Sequence, residues 1–238
     1  MHALGLHYLP LTLPFFLIMA LLLVLLFFMF LFRIVQYAYV RMGIAPQYVL
    51  IVLVLSLAGS YINIPIMHYP GEQIVAGEDI LFFGIHYMMP VIRDWPGTVV
   101  AVNVGGAVIP ALLSLYLLVK NKLWLRGLLG VAIVAAVCHA LAHPVPGLGI
   151  AIPIFVPPAA TAVVALLIAR DQAGPLAYIS GSLGTLIGAD LLNLDKIQGL
   201  GASMVSIGGA GTFDGIFVTG LMAVLFASVG SRQRTTAS

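Results

Sequence analysis

Two aspartates interrupt stretches that are otherwise apolar: Asp190 in "GTLIGADLLNL" (184–194) and Asp214 in "GGAGTFDGIF" (208–217). An ionisable group inside an apolar segment is costly to keep there and so points to function. If the two segments are consecutive antiparallel helices joined by residues 195–206, Asp190 lies roughly 7 Å in from Asp195 and Asp214 roughly 12 Å in from Ser206, at about 1.5 Å per residue. The depths agree, so the two carboxylates can face each other. Such a pair shares a proton: one member acts as general base on water while the other protonates a carbonyl oxygen, which is hydrolysis. The same aspartates can instead join Asn63, Asn103 and Asn193 to hold a substrate or an ion, as in a transporter.

Glycines surround both aspartates. Gly181, Gly184 and Gly188 fall on one stripe of a helix, and Gly208, Gly211 and Gly215 on one stripe of the next. Small residues at this spacing let helix backbones meet. Asp190 projects from roughly the opposite side, beside Asn193. Gly208, Gly209 and Gly211 can also unwind the start of the last helix, where irregular backbone is tolerated if it lines a cavity. Two plainer roles stand beside these: Asp214 as the N-cap of a regular helix, and Asp190 as a hydrogen-bonded residue at the membrane interface. His139 and His143 have the i,i+4 spacing of a metal pair, with no third ligand fixed by the sequence, and interfacial histidines are the alternative.

The elements that must carry these residues follow from composition. Hydrophobic residues make up 62% of the 238, charged ones 8%, and the mean hydropathy is high. Soluble domains carry about 25% charged residues. Seven runs approach the length needed to cross a bilayer, over 12–34, 47–66, 98–119, 124–142, 148–169, 175–194 and 207–229. Backbone groups in lipid must be satisfied within the segment, so these spans are expected to be helices. The expected fold is an all-α integral membrane protein, a single transmembrane domain over 1–238. The first run lacks the preceding Lys or Arg of a signal peptide and is expected to remain as the first helix. A lone Cys138 allows no intramolecular disulfide, and a net charge of +2 gives no footing for nucleic acid.

Charge placement orients the spans. Arg33, Arg41, Lys120, Lys122, Arg126, Arg170, Arg232 and Arg234 all follow odd-numbered spans, which places them in the cytoplasm. The N-terminus is then outside and the C-terminus inside. The long outer loop 67–97 contains "ILFFGIHYMMP" (80–90), too short to span, which reads as a re-entrant or interfacial segment or a plug between helices. Pro157–Pro158 is expected to kink the fifth helix. Two weak internal echoes are present. "AGSYINIPI" (58–66) resembles "IGADLLNLDKI" (187–197), and "VNVGGAVIPALL" (102–113) resembles "VSIGGAGTFDGI" (205–216). Paired glycine-interrupted segments point to a binding site in transporters.

The segments "VNVGGAVIP", "AYISGSLGTLIGADLLNL" and "SIGGAGTFDGIF" resemble the signature segments of a prokaryotic membrane family, domain of unknown function 1614, over nearly the whole chain. The resemblance implies a multi-pass protein of the inner or plasma membrane and brings no activity. A weaker resemblance is to intramembrane aspartyl proteases of the presenilin and signal-peptide-peptidase type, which carry one catalytic Asp on each of two consecutive helices. Their Gly-x-Gly-Asp motif is matched by Gly209 and Gly211, but Thr212 stands at the Asp position and Asp214 comes two residues later. Ala189 precedes Asp190 where those proteases have Tyr, and no Pro-Ala-Leu motif follows.

Three functions remain open on the sequence. The chain is a diaspartyl intramembrane hydrolase acting through Asp190 and Asp214, a transporter or metal-binding permease using the same polar residues, or an accessory subunit of a membrane complex. Its partners are membrane lipids and a membrane-embedded substrate or partner chain. The cofactor is left open.

Overall fold

The structure, a computed structural model, describes residues 13–71, 73–82, 85–94, 97–145, 149–197, 202–209 and 215–230. The chain divides into two compact units, Met1–Tyr37 and Ala38–Ser238. The described part of the first is most of helix α1 (Leu13–Arg41), whose most apolar window has a mean hydropathy of 3.2 and no buried residue. Leu17, Leu25 and Phe28 all stand exposed. A helix apolar on every face, with none of them covered, is at home only in hydrocarbon.

The second unit begins with the last turn of α1 and continues through α2 (Pro46–Gly59), β1 (Asn63–Tyr69), β2 (Gln73–Phe82), β3 (Ile85–Asp94) and β4 (Thr98–Asn103). Next come α3 (Ile109–Lys120), α4 (Trp124–Leu141), β5 (His143–Val145), β6 (Gly149–Ala151) and α5 (Val156–Ile168). It ends with α6 (Ala173–Thr185), β7 (Met204–Ile207) and α7 (Gly215–Gly230). Helix α6 is the centre, packed against α3, α4, α5 and α7 and buried over nearly all its length. Two π-helical turns, Val104–Val108 and Leu186–Asp190, extend α3 backward and α6 forward.

Among the described residues the molecule is mostly helical. Three helical stretches, Leu13–Arg41, Trp124–Leu141 and Arg170–Lys196, are long and apolar enough to cross a membrane. Each of the seven apolar runs contains one α-helix, in order, but the all-helical expectation is corrected at their ends. The run 47–66 is helix only to Gly59, the run 98–119 opens as a strand, and the run 148–169 begins with β6. β1, β4 and β7 form one sheet with β4 in the middle, antiparallel to β1 and parallel to β7. The segments "TVVAVN" and "MVSI" are short, apolar and rich in β-branched residues, a pattern that does not separate a buried strand from a buried helix. In the sheet only the central strand β4 has neighbours on both sides, and β1 and β7 are each paired along one edge.

Two further expectations change. The apolar segment 80–90 is not one re-entrant passage: its described residues belong to an antiparallel hairpin of β2 and β3, paired from Gln73↔Asp94 to Phe82↔Ile85. Pro157 and Pro158 do not kink α5 but start it, lying in its first turn where no intrahelical N–H bond is lost.

One end of this unit is tied by cations. Lys120 Nζ donates to the Gly43 carbonyl (2.6 Å), Arg41 to the Ser228 carbonyl (3.4 Å), and Arg170 to the Gly230 carbonyl (3.3 Å). The last two serve the otherwise unsatisfied carbonyls at the end of α7, where positive charge is favoured.

Candidate functional site

Asp190 is the last residue of the π-helical turn that continues α6. The glycines before it explain how α6 lies so close to α4. A Cβ at Gly184 would sit 2.7 Å from Val134 Cβ, and one at Gly188 would strike the Ala135 carbonyl oxygen. Gly181, the third member of the expected stripe, faces Thr161 of α5 and Gly220 of α7 instead. The π turn inserts a residue into the helix, a device common at functional sites. Carbonyls displaced by that insertion need donors, and Asn193 supplies them: its Nδ2 donates to Gly188 O and Ala189 O, both at 2.9 Å. Lys196 Nζ in turn donates to Asn193 Oδ1 (2.7 Å). Asn193 is therefore the clamp of the π turn and is fully buried.

The partner of Asp190 comes from the other side. Its Oδ2 accepts the backbone N–H of Gly208 at 2.8 Å. Gly208 and Gly209, directly after β7, have φ of +86° and +84°, a region that side-chain-bearing residues rarely adopt. A Cβ at Gly208 would also lie 2.6 Å from Ala107 Cβ. Glycine is required here twice over, by the turn and by the close approach. Gly208 lies outside any helix, so the expected stripe of Gly208, Gly211 and Gly215 is not formed by helical spacing. Gly211 and Asp214 lie outside the described residues.

Asn63 and Asn103 face each other across β1 and β4. Asn103, fully buried, accepts the Gly106 N–H (2.7 Å) and donates to Ser60 O (2.7 Å) and Asn63 Oδ1 (3.0 Å). Asn63 Oδ1 also accepts from Ser206 Oγ (2.6 Å), which joins β1 to β7. These asparagines, expected to bind substrate, have their side chains committed to holding the sheet and the first π turn. His139 and His143 do not form a helical pair, because α4 ends at Leu141 and His143 sits in β5 after the extended Ala142. Among the described residues no three of His, Cys, Asp and Glu gather at a metal-binding distance.

Asp190 opens onto a cavity of about 360 Å³. Its walls are mostly apolar, with Ile150, Ile154, Ile197 and Ile207 among them, and its polar groups are Asp190, Thr185, Ser206 and Thr219. Cys138 of α4 lies within electrostatic range of Asp190, and its sulfur is 3.7 Å from Thr185 Oγ1. Gly209 and Ile216, on either side of 210–214, both line the cavity. Of the expected site residues, then, Asp190, Gly208 and Gly209 meet here and the three asparagines do not. Sequence reasoning missed Thr185 and Thr219 and the contribution of the β5–β6 hairpin. The threonines were legible as hydroxyls in apolar helices at a turn's distance from other polar residues. The hairpin carried no such signal. A carboxylate in a small, largely apolar chamber can hold a proton, a cation or the positive end of a solute with little competition from water.

A family model described as a protein of unknown function (DUF1614) matches residues 57–226. No curated protein and no solved structure matches the chain.

Proposed function

The chain belongs to the DUF1614 family, and on that premise we propose that it is a multi-pass protein of the cell membrane that carries a small solute or ion, with Asp190 as the charge-binding group. The observation that carries this reading is the junction of Asp190 with Gly208: a carboxylate at the broken end of one membrane helix, held by a backbone N–H at a glycine turn, lining a chamber. Interrupted segments around an ionisable group are how membrane transporters build a binding site. The chamber, about 360 Å³, falls at the small end of the roughly 300–1,000 Å³ typical of small-ligand sites. That suits a small solute better than a peptide chain. Hydrolysis by a dyad requires Asp214 as well, which lies outside the described residues.

Seven crossings with the N-terminus outside and the C-terminus inside complete the proposal. Its support is the clustering of Arg41, Lys120 and Arg170, which hold the Ser228, Gly43 and Gly230 carbonyls at one pole of the second unit. In a Cys138→Ser background, Lys122→Cys should react with an impermeant maleimide only from the cytoplasm and Val75→Cys only from outside. Reaction of both from one side overturns the topology.

The carrier reading is tested with purified protein in liposomes, by recording charge movement after steps of Na⁺, K⁺ and H⁺ concentration. Wild type should move charge for one of them. Asp190→Asn should lower that signal about 100-fold, the loss of roughly 2.7 kcal/mol at 1.36 kcal/mol per decade. Asp214→Asn separates the readings: a dyad hydrolase loses cleavage of a membrane-spanning substrate on either substitution, whereas the carrier yields no cleavage product at all.

A further inference from the structure

The polar residues of α6 lie in a line. Tyr178, Ser182, Thr185 and Asp190 follow one another at intervals of four, three and five residues. The first two intervals keep to one face of an α-helix. The third is one turn of a π-helix, the form adopted over Leu186–Asp190, so the inserted residue brings Asp190 onto the same face. The line is roughly 18 Å long at about 1.5 Å per residue, and Tyr178, Ser182 and Thr185 are all within 2% of complete burial.

Neighbouring helices add to it. Gly220 of α7 leaves the room: a Cβ there would strike Ser182 Oγ and approach the Tyr178 ring to 3.2 Å. Gly181 does the same for Thr161 of α5, whose Cγ2 would be 3.1 Å from an added Cβ. Tyr39, in the last turns of α1, is close enough to Tyr178 for the two phenols to interact electrostatically. Tyr39 lies at the pole where Arg41, Lys120 and Arg170 gather, and Asp190 lies at the other.

What sets two of these hydroxyls apart is that they do not bond back to their own helix. Tyr39 OH and Thr161 Oγ1 are buried with no hydrogen bond among the described residues, as are Ser114 Oγ and His139 Nδ1 elsewhere, and Ser182 Oγ finds only the Tyr178 hydroxyl beside it. Buried hydroxyls in helices ordinarily bond back to the preceding turn. Ser180 does so to Leu176 O (2.6 Å) and Ser228 to Val224 O (2.7 Å). Two orphaned hydroxyls and a hydroxyl pair along one seam, between glycines that keep it open, are partners for water, since buried polar groups left unmatched by protein are matched that way.

We propose that this seam is a proton path, with water and the hydroxyls of Tyr39, Tyr178, Ser182, Thr161 and Thr185 joining the Asp190 carboxylate to the cation-rich pole. It rests on the carrier reading and names the coupling ion. A proton arriving from the chamber protonates Asp190. It leaves when the carboxyl gives that proton to the first oxygen of the seam, and each oxygen along it accepts one proton and passes one on. At the Tyr39 end one proton is released and Asp190 is again a carboxylate, so no group is changed and one proton has moved. Among the described residues, the titratable groups facing the path include Cys138 from α4 beside Asp190 and Tyr39 from α1 beside Tyr178.

The test uses the full chain in liposomes with an entrapped pH-sensitive dye and a potassium diffusion potential set by valinomycin. Wild type should admit protons, and Thr161→Val with Ser182→Ala should slow the entry at least tenfold. Tyr178→Phe, which keeps the ring and removes only the hydroxyl, should slow it by a similar factor and guards against a folding defect in the double variant. Ser180→Ala, on another face of the same helix, should leave it unchanged. In parallel, labelling of Asp190 by dicyclohexylcarbodiimide reports whether the chamber is intact. Proton entry at the wild-type rate in both seam variants, with labelling retained, overturns the path and leaves the carrier reading standing. A wild type that moves another cation through Asp190 but no protons does the same. If no charge movement depends on Asp190, the carrier reading itself falls and the path with it.

Discussion

After β4, Asn103 turns its side chain onto the N–H of Gly106 (2.7 Å) and a helix begins at once. In β7, the residue in the matching place of the sequence echo is Ser206, and its hydroxyl goes sideways to Asn63 (2.6 Å). The two strands lie side by side and parallel, with Val102 opposite Ile207, and each leads into a Gly-Gly pair. In the first copy the glycines meet the neighbouring α2 and the local N–H is answered from within the segment. In the second copy the Gly208 N–H is answered by Asp190, a residue from another element that lines the chamber. A pattern that closes on itself builds scaffold. The same pattern left to be completed from elsewhere builds a site.

This contrast can be broken first at Gly105. A methyl there would collide with Ser56 O and Ser60 N of α2, which are backbone atoms fixed in a helix. Gly105→Ala should cost about 3 kcal/mol or more, seen as loss of the monodisperse peak in detergent chromatography. Recovery of wild-type yield and melting would show that the first copy tolerates opening. Asn103→Ala comes next, at about 2 kcal/mol, because Gly106 N–H and Ser60 O lose their partner in a buried place. Its thermal midpoint should fall while charge movement per folded molecule is kept. Asp190→Asn should show the reverse, since an amide oxygen still accepts from Gly208. If both variants lose stability and activity in equal proportion, the division into scaffold and site is wrong. Ser206→Ala is the smallest, about 1 kcal/mol for one hydrogen bond, read as a small fall in the thermal midpoint.

Much of this was legible. The apolar runs located the seven α-helices of the described residues, and the cost of an aspartate in "IGADLLNL" marked Asp190 before its surroundings were known. Asn193 was expected on one polar face with Asp190, whereas its amide serves the π turn, and sequence gives no sign of a one-residue insertion in a helix. The strands were hidden because Val99, Val100 and Val102 are equally at home in a buried strand and a buried helix. What separates the two is pairing with Met204–Ile207, far along the chain. Pro157–Pro158 misled in a simpler way, since proline breaks a helix interior and begins a helix equally well. Asp214 stays where the sequence left it, outside the described residues.

The parallel pairing of Val99 with Met204 also sets an order of assembly. Apolar helices can enter the bilayer one by one as the ribosome delivers them. β4 can find β1 early, but its second edge has no partner until the loop after α6 has been synthesised. Unpaired backbone is expensive in hydrocarbon, so a nascent chain stopped before β7 should hold β4 near the headgroups or in the grip of an insertion chaperone. Closure of the sheet, and with it the seating of Gly208 on Asp190, is then a late event in biogenesis. A chain truncated after α6 would be inserted and yet unfinished.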